Sequence, residues 1–188
     1  MRLLLNFAAF QAGWFACVLG AARGMPWLGP LVVLVVVALH LRLSRRPLRE
    51  LQLVLMAAAL GLVIDSLLLS TGWLAYPSGL WLPGFAPYWI VAMWALFATT
   101  LNVSLGWLHG RTALAAALGA VGGPLSYLAG EKLGGIALVN PTAALLALGV
   151  AWGLAMPGLM RLASRFDGVT AKPLPGFVDS DWRFSGGA

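Results

Sequence analysis

Residues 61–71 read GLVIDSLLLST and place one acidic side chain, Asp65, inside a run that otherwise suits lipid or a packed protein core. An isolated charge in hydrocarbon is costly, so such a residue is normally neutralised, paired or turned toward the protein interior. The rest of the chain must therefore supply Asp65 with polar partners or with a polar site.

Composition places the chain among the multi-spanning membrane proteins. Of its 188 residues, 61% are hydrophobic and 10% are charged, and the mean hydropathy is +0.89. The net charge of +6 does not indicate nucleic-acid binding, because the basic residues lie between apolar runs and do not alternate with stacking aromatics. We therefore expect membrane lipids as partners and no nucleic acid.

Hydropathy predicts an all-α, polytopic bundle of six transmembrane helices. The apolar runs lie at about 3–22, 28–43, 50–71, 87–108, 112–130 and 141–162. Residues 1–162 thus form the membrane domain, and residues 163–188 form a flexible cytoplasmic tail. The first run also has signal-peptide features, but Asn6 and Gln11 interrupt its apolar core and favour a membrane span.

The charges predict the orientation of the bundle. Ten of the twelve Lys and Arg residues fall at one end: Arg2, Arg42, Arg45, Arg46, Arg49, Arg111, Arg161, Arg165, Lys172 and Arg183. Only Arg23 and Lys132 fall at the other end. By the positive-inside rule, both termini are cytoplasmic, and we expect a multi-pass membrane protein.

An uncharged connection, residues 72–87 (GWLAYPSGLWLPGFAP), joins the third and fourth runs on the outer side. Its aromatic residues predict that it anchors the bundle in the membrane interface. A lid over an outward-facing pocket is the alternative.

Small and polar residues recur together at helical spacing. On the third helix they are Ala58, Gly61 and Asp65; on the fourth Ala95, Ala98, Asn102 and Gly106, with Leu101 and Leu108 opposite; on the first Asn6, Gly13, Cys17 and Gly20. Small residues let helix backbones approach closely, so these faces should point inward. Gly119-x-x-x-Gly123 and Gly149-x-x-x-Gly153 should likewise serve packing within the chain rather than dimerisation.

The polar residues predict two candidate ligand-binding sites at different depths. The outer site comprises Asp65, Ser66, Ser126 and Tyr127, beside a fifth helix that Pro124 should kink or break. The inner site comprises Asn6, Gln11 and Asn102.

No pattern in the chain specifies a reaction, so catalysis stays open, with a non-enzyme favoured. Nucleophile, phosphate-cradling and dinucleotide motifs are absent from the sequence, and we expect no cofactor. His40 and His109 do not predict a metal site, because no carboxylate was expected near them. The single Cys17 rules out an intramolecular disulfide, and nothing specifies the oligomeric state.

Four motifs together resemble those of a family of short bacterial inner-membrane proteins classed as a domain of unknown function. They are NFxxFQxGWFxCVLGA from Asn6, the Asp65-Ser66 pair, LFATTLN from Leu96 and GAVGGP from Gly119. The resemblance covers about Asn6 to Met160. It implies no established activity, but genes for similar proteins often stand near a cyclopropane-fatty-acid-synthase-like methyltransferase and flavin-dependent oxidoreductases.

Three functions remain open. In the first, the protein binds or presents lipid acyl chains in membrane-lipid modification, together with a soluble or peripheral lipid-modifying enzyme. Alternatively it transports a small solute or lipid, although its halves show no convincing repeat. In the third, it is a non-catalytic scaffold whose polar residues join helices and which recruits soluble enzymes.

Overall fold

The structure, a computed structural model, describes residues 2–170, and these residues form an all-α bundle. Its helices are α1 (Arg2–Ala22), α2 (Leu28–Arg42), α3 (Pro47–Ser70), α4 (Tyr88–Leu101), α5 (Thr112–Lys132) and α6 (Pro141–Arg165). The predicted tail residues Lys172, Asp179, Asp181, Trp182, Arg183 and Phe184 lie outside the described residues.

Four of these helices, α1, α3, α5 and α6, are long and apolar enough to cross a membrane. The other two are shorter, with 15 residues in α2 and 14 in α4. At 1.5 Å per residue they reach about 21–23 Å, against about 30 Å of hydrocarbon. The fold class and the membrane character are confirmed, whereas six full spans and their orientation stay predictions.

The largest error in the predicted bounds concerns α4, which ends at Leu101 instead of about residue 108. Beyond Leu101 the backbone leaves the regular α-helical hydrogen-bonding pattern, and the N–H groups of Val103 and Leu105 both donate to the carbonyl of Thr100. A short 3-10 turn follows at Gly106–Leu108. The helix stops here because the side chains of Asn102 and Ser104 bond partners on other helices instead.

Two other helices extend past their predicted ends. Helix α3 begins at Pro47, where a proline at the first helical position loses no hydrogen bond. Helix α6 begins after Asn140, whose side chain accepts from the N–H of Ala143, and runs to Arg165. The polar tail predicted from residue 163 therefore starts as helix.

Helix α4 is the centre of the bundle, since it contacts α1, α2, α3 and α6. On its small face Ala98 and Asn102 are buried, as predicted, but part of the opposite face is buried too. Leu101 and Leu108 are fully enclosed, so the expectation that they face away from the bundle is wrong.

Helices α5 and α6 form a close pair through their glycines. A Cβ atom added to Gly119 or Gly123 would overlap Trp152 of α6, and one added to Gly153 would touch Ala120 of α5. This confirms that both glycine motifs pack within the chain. Helix α5 runs unbroken through Pro124, so the predicted break does not occur.

The outer connections are held together by a two-stranded antiparallel ribbon. Strand β1 (Leu74–Ala75) pairs with β2 (Ala137–Leu138) between α5 and α6. Within residues 72–87, Trp73, Trp81 and Phe85 are exposed, as an interface anchor requires, but Tyr76 is buried. The connection therefore sends one aromatic side chain into the bundle.

Candidate functional site

Asp65 is fully buried and accepts hydrogen bonds from three side chains. The Tyr76 hydroxyl lies 2.8 Å from Oδ1, and Trp94 Nε1 lies 2.7 Å from Oδ2. The Tyr127 hydroxyl also donates to Oδ1. The carboxylate thus joins α3 to α4, to α5 and to the outer connection.

Two glycines and two stacked indoles position this cluster. Gly61, one turn before Asp65, lies against the Trp94 ring, since an added Cβ would lie 2.0 Å from Trp94 Cγ. Trp94 stacks on Trp152 of α6 at a centroid distance of 4.3 Å and an interplanar angle of 15°. Trp152 in turn lies against Gly123, one turn before Tyr127. Glycine is needed at positions 61 and 123 because the indole rings occupy the space that a side chain there would need.

The Asp65 cluster can hold a carboxyl group in either protonation state. The indole of Trp94 can only donate, whereas the hydroxyls of Tyr76 and Tyr127 can donate or accept. A small cavity of about 40 Å³ lies beside the cluster and is lined by Trp94, Ser126, Tyr127 and Trp152 among others. That volume suits about one water molecule. Because Asp65 is fully buried, and this cavity has no room for an acyl chain, the cluster is closed to such a ligand on this side in this conformation.

The other two residues of the predicted outer site bond elsewhere. Ser66 Oγ accepts from the N–H of Ala86 at 2.9 Å, and Ser126 Oγ accepts from Trp14 Nε1 at 3.1 Å. Of the four predicted residues, the structure brings together Asp65 and Tyr127 only.

The predicted inner residues also divide among separate contacts. Asn6 donates to the carbonyl of Thr99 at 3.0 Å and accepts from Ser104 Oγ at 2.7 Å. Gln11 is half-buried on α1. Asn102 bonds Glu50, so these three residues do not hydrogen-bond one another, and a shared ligand site among them stays a prediction.

Glu50 is a second fully buried acid, and the sequence analysis missed it. Its Oε2 lies 2.8 Å from His40 Nε2, while Oε1 accepts from Asn102 Nδ2 at 2.9 Å and from the N–H of Gly168 at 2.7 Å. The premise that His40 has no carboxylate nearby is therefore wrong. Still, residues 2–170 contain no group of three or more His, Cys, Asp or Glu that could hold a metal ion.

The hydrogen bond from Gly168 to Glu50 attaches the segment that follows α6 to the first turn of α3. The N–H of Arg46 bonds the carbonyl of Gly168 at 2.9 Å, which completes the attachment. The segment closes with a turn in which Asp167 accepts from Val169 and Thr170. Burial raises the pKa of Asp167, but the bonds from Thr170 and Val169 outweigh it and hold that pKa below its usual value.

Two larger cavities are lined by residues of α5, of α6 and of the segment that follows α4. An apolar groove of about 260 Å³ is lined by Phe97, Leu105, Leu108, Leu118, Gly119, Gly122, Gly123, Ser126, Trp152 and Met156. A cleft of about 280 Å³, called here the basic cleft, is lined by Leu108, Gly110, Arg111, Thr112, Pro157, Met160, Arg161 and Ser164.

Comparison with known proteins assigns the family. Residues 3–158 match the model of DUF2878, a protein family of unknown function. The chain belongs to the DUF2878 family. No curated protein and no solved structure matches it. The resemblance to a family of unknown function is thus confirmed, while its bacterial inner-membrane setting stays a prediction.

In this DUF2878 member, removing one hydroxyl from the Asp65 cluster should weaken the fold. We expect Tyr127→Phe to lower the free energy of unfolding by about 1–3 kcal/mol, because a buried acceptor loses its donor. Tyr88→Phe is the matched control and should change it by less than about 0.5 kcal/mol. Chemical unfolding in detergent measures both.

A double-mutant cycle assigns the loss to Asp65 itself. Tyr127→Phe should cost clearly less in an Asp65→Leu background, since the acceptor is already gone. An equal cost in both backgrounds would show that Tyr127 is stabilised by packing alone.

Glu50 should hold the chain after α6 in place. We expect Glu50→Ala to speed tryptic cleavage after Arg165 by roughly tenfold, because it removes the acceptor of the Gly168 N–H and leaves its neighbours unpaired. Glu131→Ala, at the other end of the bundle, is the control. If both variants are cleaved at the wild-type rate, Glu50 does not retain this segment.

Proposed function

We propose that this protein binds one acyl chain of a membrane lipid in the apolar groove of about 260 Å³, called here the acyl groove, as a non-catalytic component of membrane-lipid modification. The observation that carries the proposal is the groove itself. It is apolar, and the α5 residues Leu118 and Gly122 that line it are exposed, on a side of the bundle that would meet lipid. Apolar grooves with few polar groups are typical of sites for apolar ligands.

Three glycines of α5 line the groove. Trp152 and Met156 of α6 occupy the space that side chains at Gly119 and Gly123 would need, whereas a Cβ added to Gly122 would have no atom within 4 Å. The missing side chain at Gly122 therefore leaves open space that suits a narrow, flexible chain. Trp152, held by its stack on Trp94, forms a fixed wall.

In this proposal the Asp65 cluster positions the walls of the groove. Its carboxylate already accepts three donors and has no exposed surface. Of the predicted outer residues, Ser126 lines the groove and would contact a bound chain. Direct binding at Asp65 and Tyr127 would require the cluster to open.

A non-catalytic scaffold is the second candidate. It is favoured by the internal pairing of Asp65, Ser66, Ser126, Asn6 and Asn102, which accounts for each of them as a contact between parts of the bundle. In that case the groove would hold only bulk lipid, and the soluble partner enzyme would dock on another surface.

The proposal places all six helices in a bacterial inner membrane with the arginine-rich end in the cytoplasm. A periplasm-active reporter fused after Lys132 should be active, and one fused at the C-terminus should be inactive, because the basic residues flank the inner ends of the helices. The reverse pattern, or cleavage after Ala22, would contradict this topology.

Filling the groove should block lipid contact. In proteoliposomes that contain a phospholipid with a photoactivatable acyl chain, we expect labels to concentrate on groove residues of α5 and α6. Gly122→Phe should reduce that labelling by roughly tenfold, a loss equivalent to about 1.4 kcal/mol. Mass spectrometry of labelled peptides measures it.

Val121→Phe is the matched control, because Val121 is exposed on the same helix but does not line the groove. Labels spread evenly over all exposed helices, and unchanged by Gly122→Phe, would refute the binding site.

The role in lipid modification is tested by fatty-acid profiles of cells that lack the protein or carry Gly122→Phe. Profiles equal to wild type in both would leave the scaffold function.

A further inference from the structure

The acyl groove and the basic cleft adjoin each other. Leu108 lines both cavities. On α6, Met156 lines the groove and Met160, one turn further on, lines the cleft. The two cavities therefore lie next to each other along the bundle and meet at Leu108.

The two cavities differ in chemistry. The α5 residues that line them lie between Thr112 and Ser126, a stretch of about 21 Å at 1.5 Å per residue. The groove, at the Ser126 end, is lined mainly by apolar side chains and glycines, while the cleft, at the Thr112 end, carries Arg111 and Arg161. A ligand that fills both cavities needs an apolar chain and an anionic head.

The two arginines of the basic cleft are not neutralised within residues 2–170. Neither Arg111 nor Arg161 has a carboxylate within 4 Å there. The buried acid Glu50 bonds His40, Asn102 and Gly168, Asp167 bonds Val169 and Thr170, and neither acid lines the cleft. The cleft thus presents positive charge to an incoming anion.

Further contacts favour a phosphate at this position. The guanidinium of Arg111 lies 5.8 Å from the centre of the Trp107 ring, a cation–π contact that orients it. Thr112, the first residue of α5, lines the cleft, so the positive end of the helix dipole lies at the same place. Trp107 itself is 51% exposed, as suits a side chain at the headgroup level.

We infer that the basic cleft binds the phosphate headgroup of an anionic phospholipid whose acyl chain occupies the acyl groove. The inference rests on the proposed function, because the same lipid fills both parts. Arginine pairs with phosphate through two parallel hydrogen bonds, and two arginines match an anionic diester better than a zwitterionic headgroup.

The C-terminal segment of the chain is a weaker occupant for the cleft. Residues 171–188 contain Asp179 and Asp181, but also Lys172 and Arg183, so their formal net charge is zero. Such a segment gains little from two uncompensated arginines. A membrane lipid could also fill the apolar groove that adjoins the cleft.

The test compares two photoactivatable phospholipids that share one acyl chain and differ in headgroup. The full-length protein is reconstituted in vesicles of a neutral lipid that contain a trace of either photoactivatable phosphatidylglycerol or photoactivatable phosphatidylcholine. We expect about thirtyfold more labelling of the groove with the anionic probe. Each arginine near a membrane surface contributes roughly a fivefold preference, and both together about thirtyfold.

Arg111→Gln with Arg161→Gln should bring labelling by the anionic probe down to the level of the zwitterionic probe and leave the latter unchanged. Arg165→Gln is the control, since Arg165 lies over Phe166 and does not line the cleft. Unchanged labelling by the zwitterionic probe also shows that the variant is folded.

The outcomes separate the two levels of the proposal. Strong groove labelling that is equal for both headgroups, or insensitive to the two arginine substitutions, would overturn the headgroup site and keep the acyl groove. Groove labelling by neither probe would overturn the proposed function. If millimolar inorganic phosphate or removal of residues 171–188 changes the headgroup preference as much as the arginine substitutions do, the cleft binds a soluble anion or the tail, and the lipid assignment is wrong.

Discussion

A carboxylate enclosed in an apolar bundle must have its hydrogen bonds supplied by the protein, since water cannot supply them. Asp65 meets this demand with donors from three parts of the chain. Each donor must arrive at a fixed place, which explains why the outer connection turns inward at Tyr76 and why glycine stands at position 61. The positions of α3, α4 and α5 relative to one another follow from this requirement.

The same requirement determines the shape of the lipid-facing side. Because Trp94 is held by Asp65, its stacking partner Trp152 is held as well, and Trp152 forms a wall of the acyl groove. The early end of α4 adds the opposite wall, since Leu105 and Leu108 lie in the irregular segment that follows it. A helix that continued to residue 108 would place these side chains differently.

Much of the fold could be predicted from composition and period. The ends of α1, α2 and α5 lie where Gly, Pro, Arg or Lys interrupt the apolar runs. The depths of Asp65 and Tyr127 in the membrane, counted along their helices, predict that the two residues lie close together. The contribution of Tyr76 could not be predicted, because an aromatic residue in a connection fits an interface anchor as well as an internal donor. A loop has no period that distinguishes the two.

Glu50 illustrates a different limit. Beside Arg46 and Arg49 it resembles an ordinary charged residue at a helix boundary. Its burial depends on Asn102 and on Gly168, which lies 118 positions further along the chain. No local pattern records such a contact. The early end of α4 was missed for the same reason, because the partners of Asn102 and Ser104 lie on α3 and α1.

The order of the Asp65 donors along the chain has a consequence for biogenesis. They lie 11, 29 and 62 positions after the acid. As a membrane chain is synthesised from its N-terminus, α3 enters the bilayer before any of them is available. Tyr76 emerges first, and the cost of the buried acid then falls stepwise as α4 and α5 follow. A nascent chain that stalls before residue 127 therefore carries a partly satisfied acid, which membrane quality control could recognise as a mark of incomplete assembly.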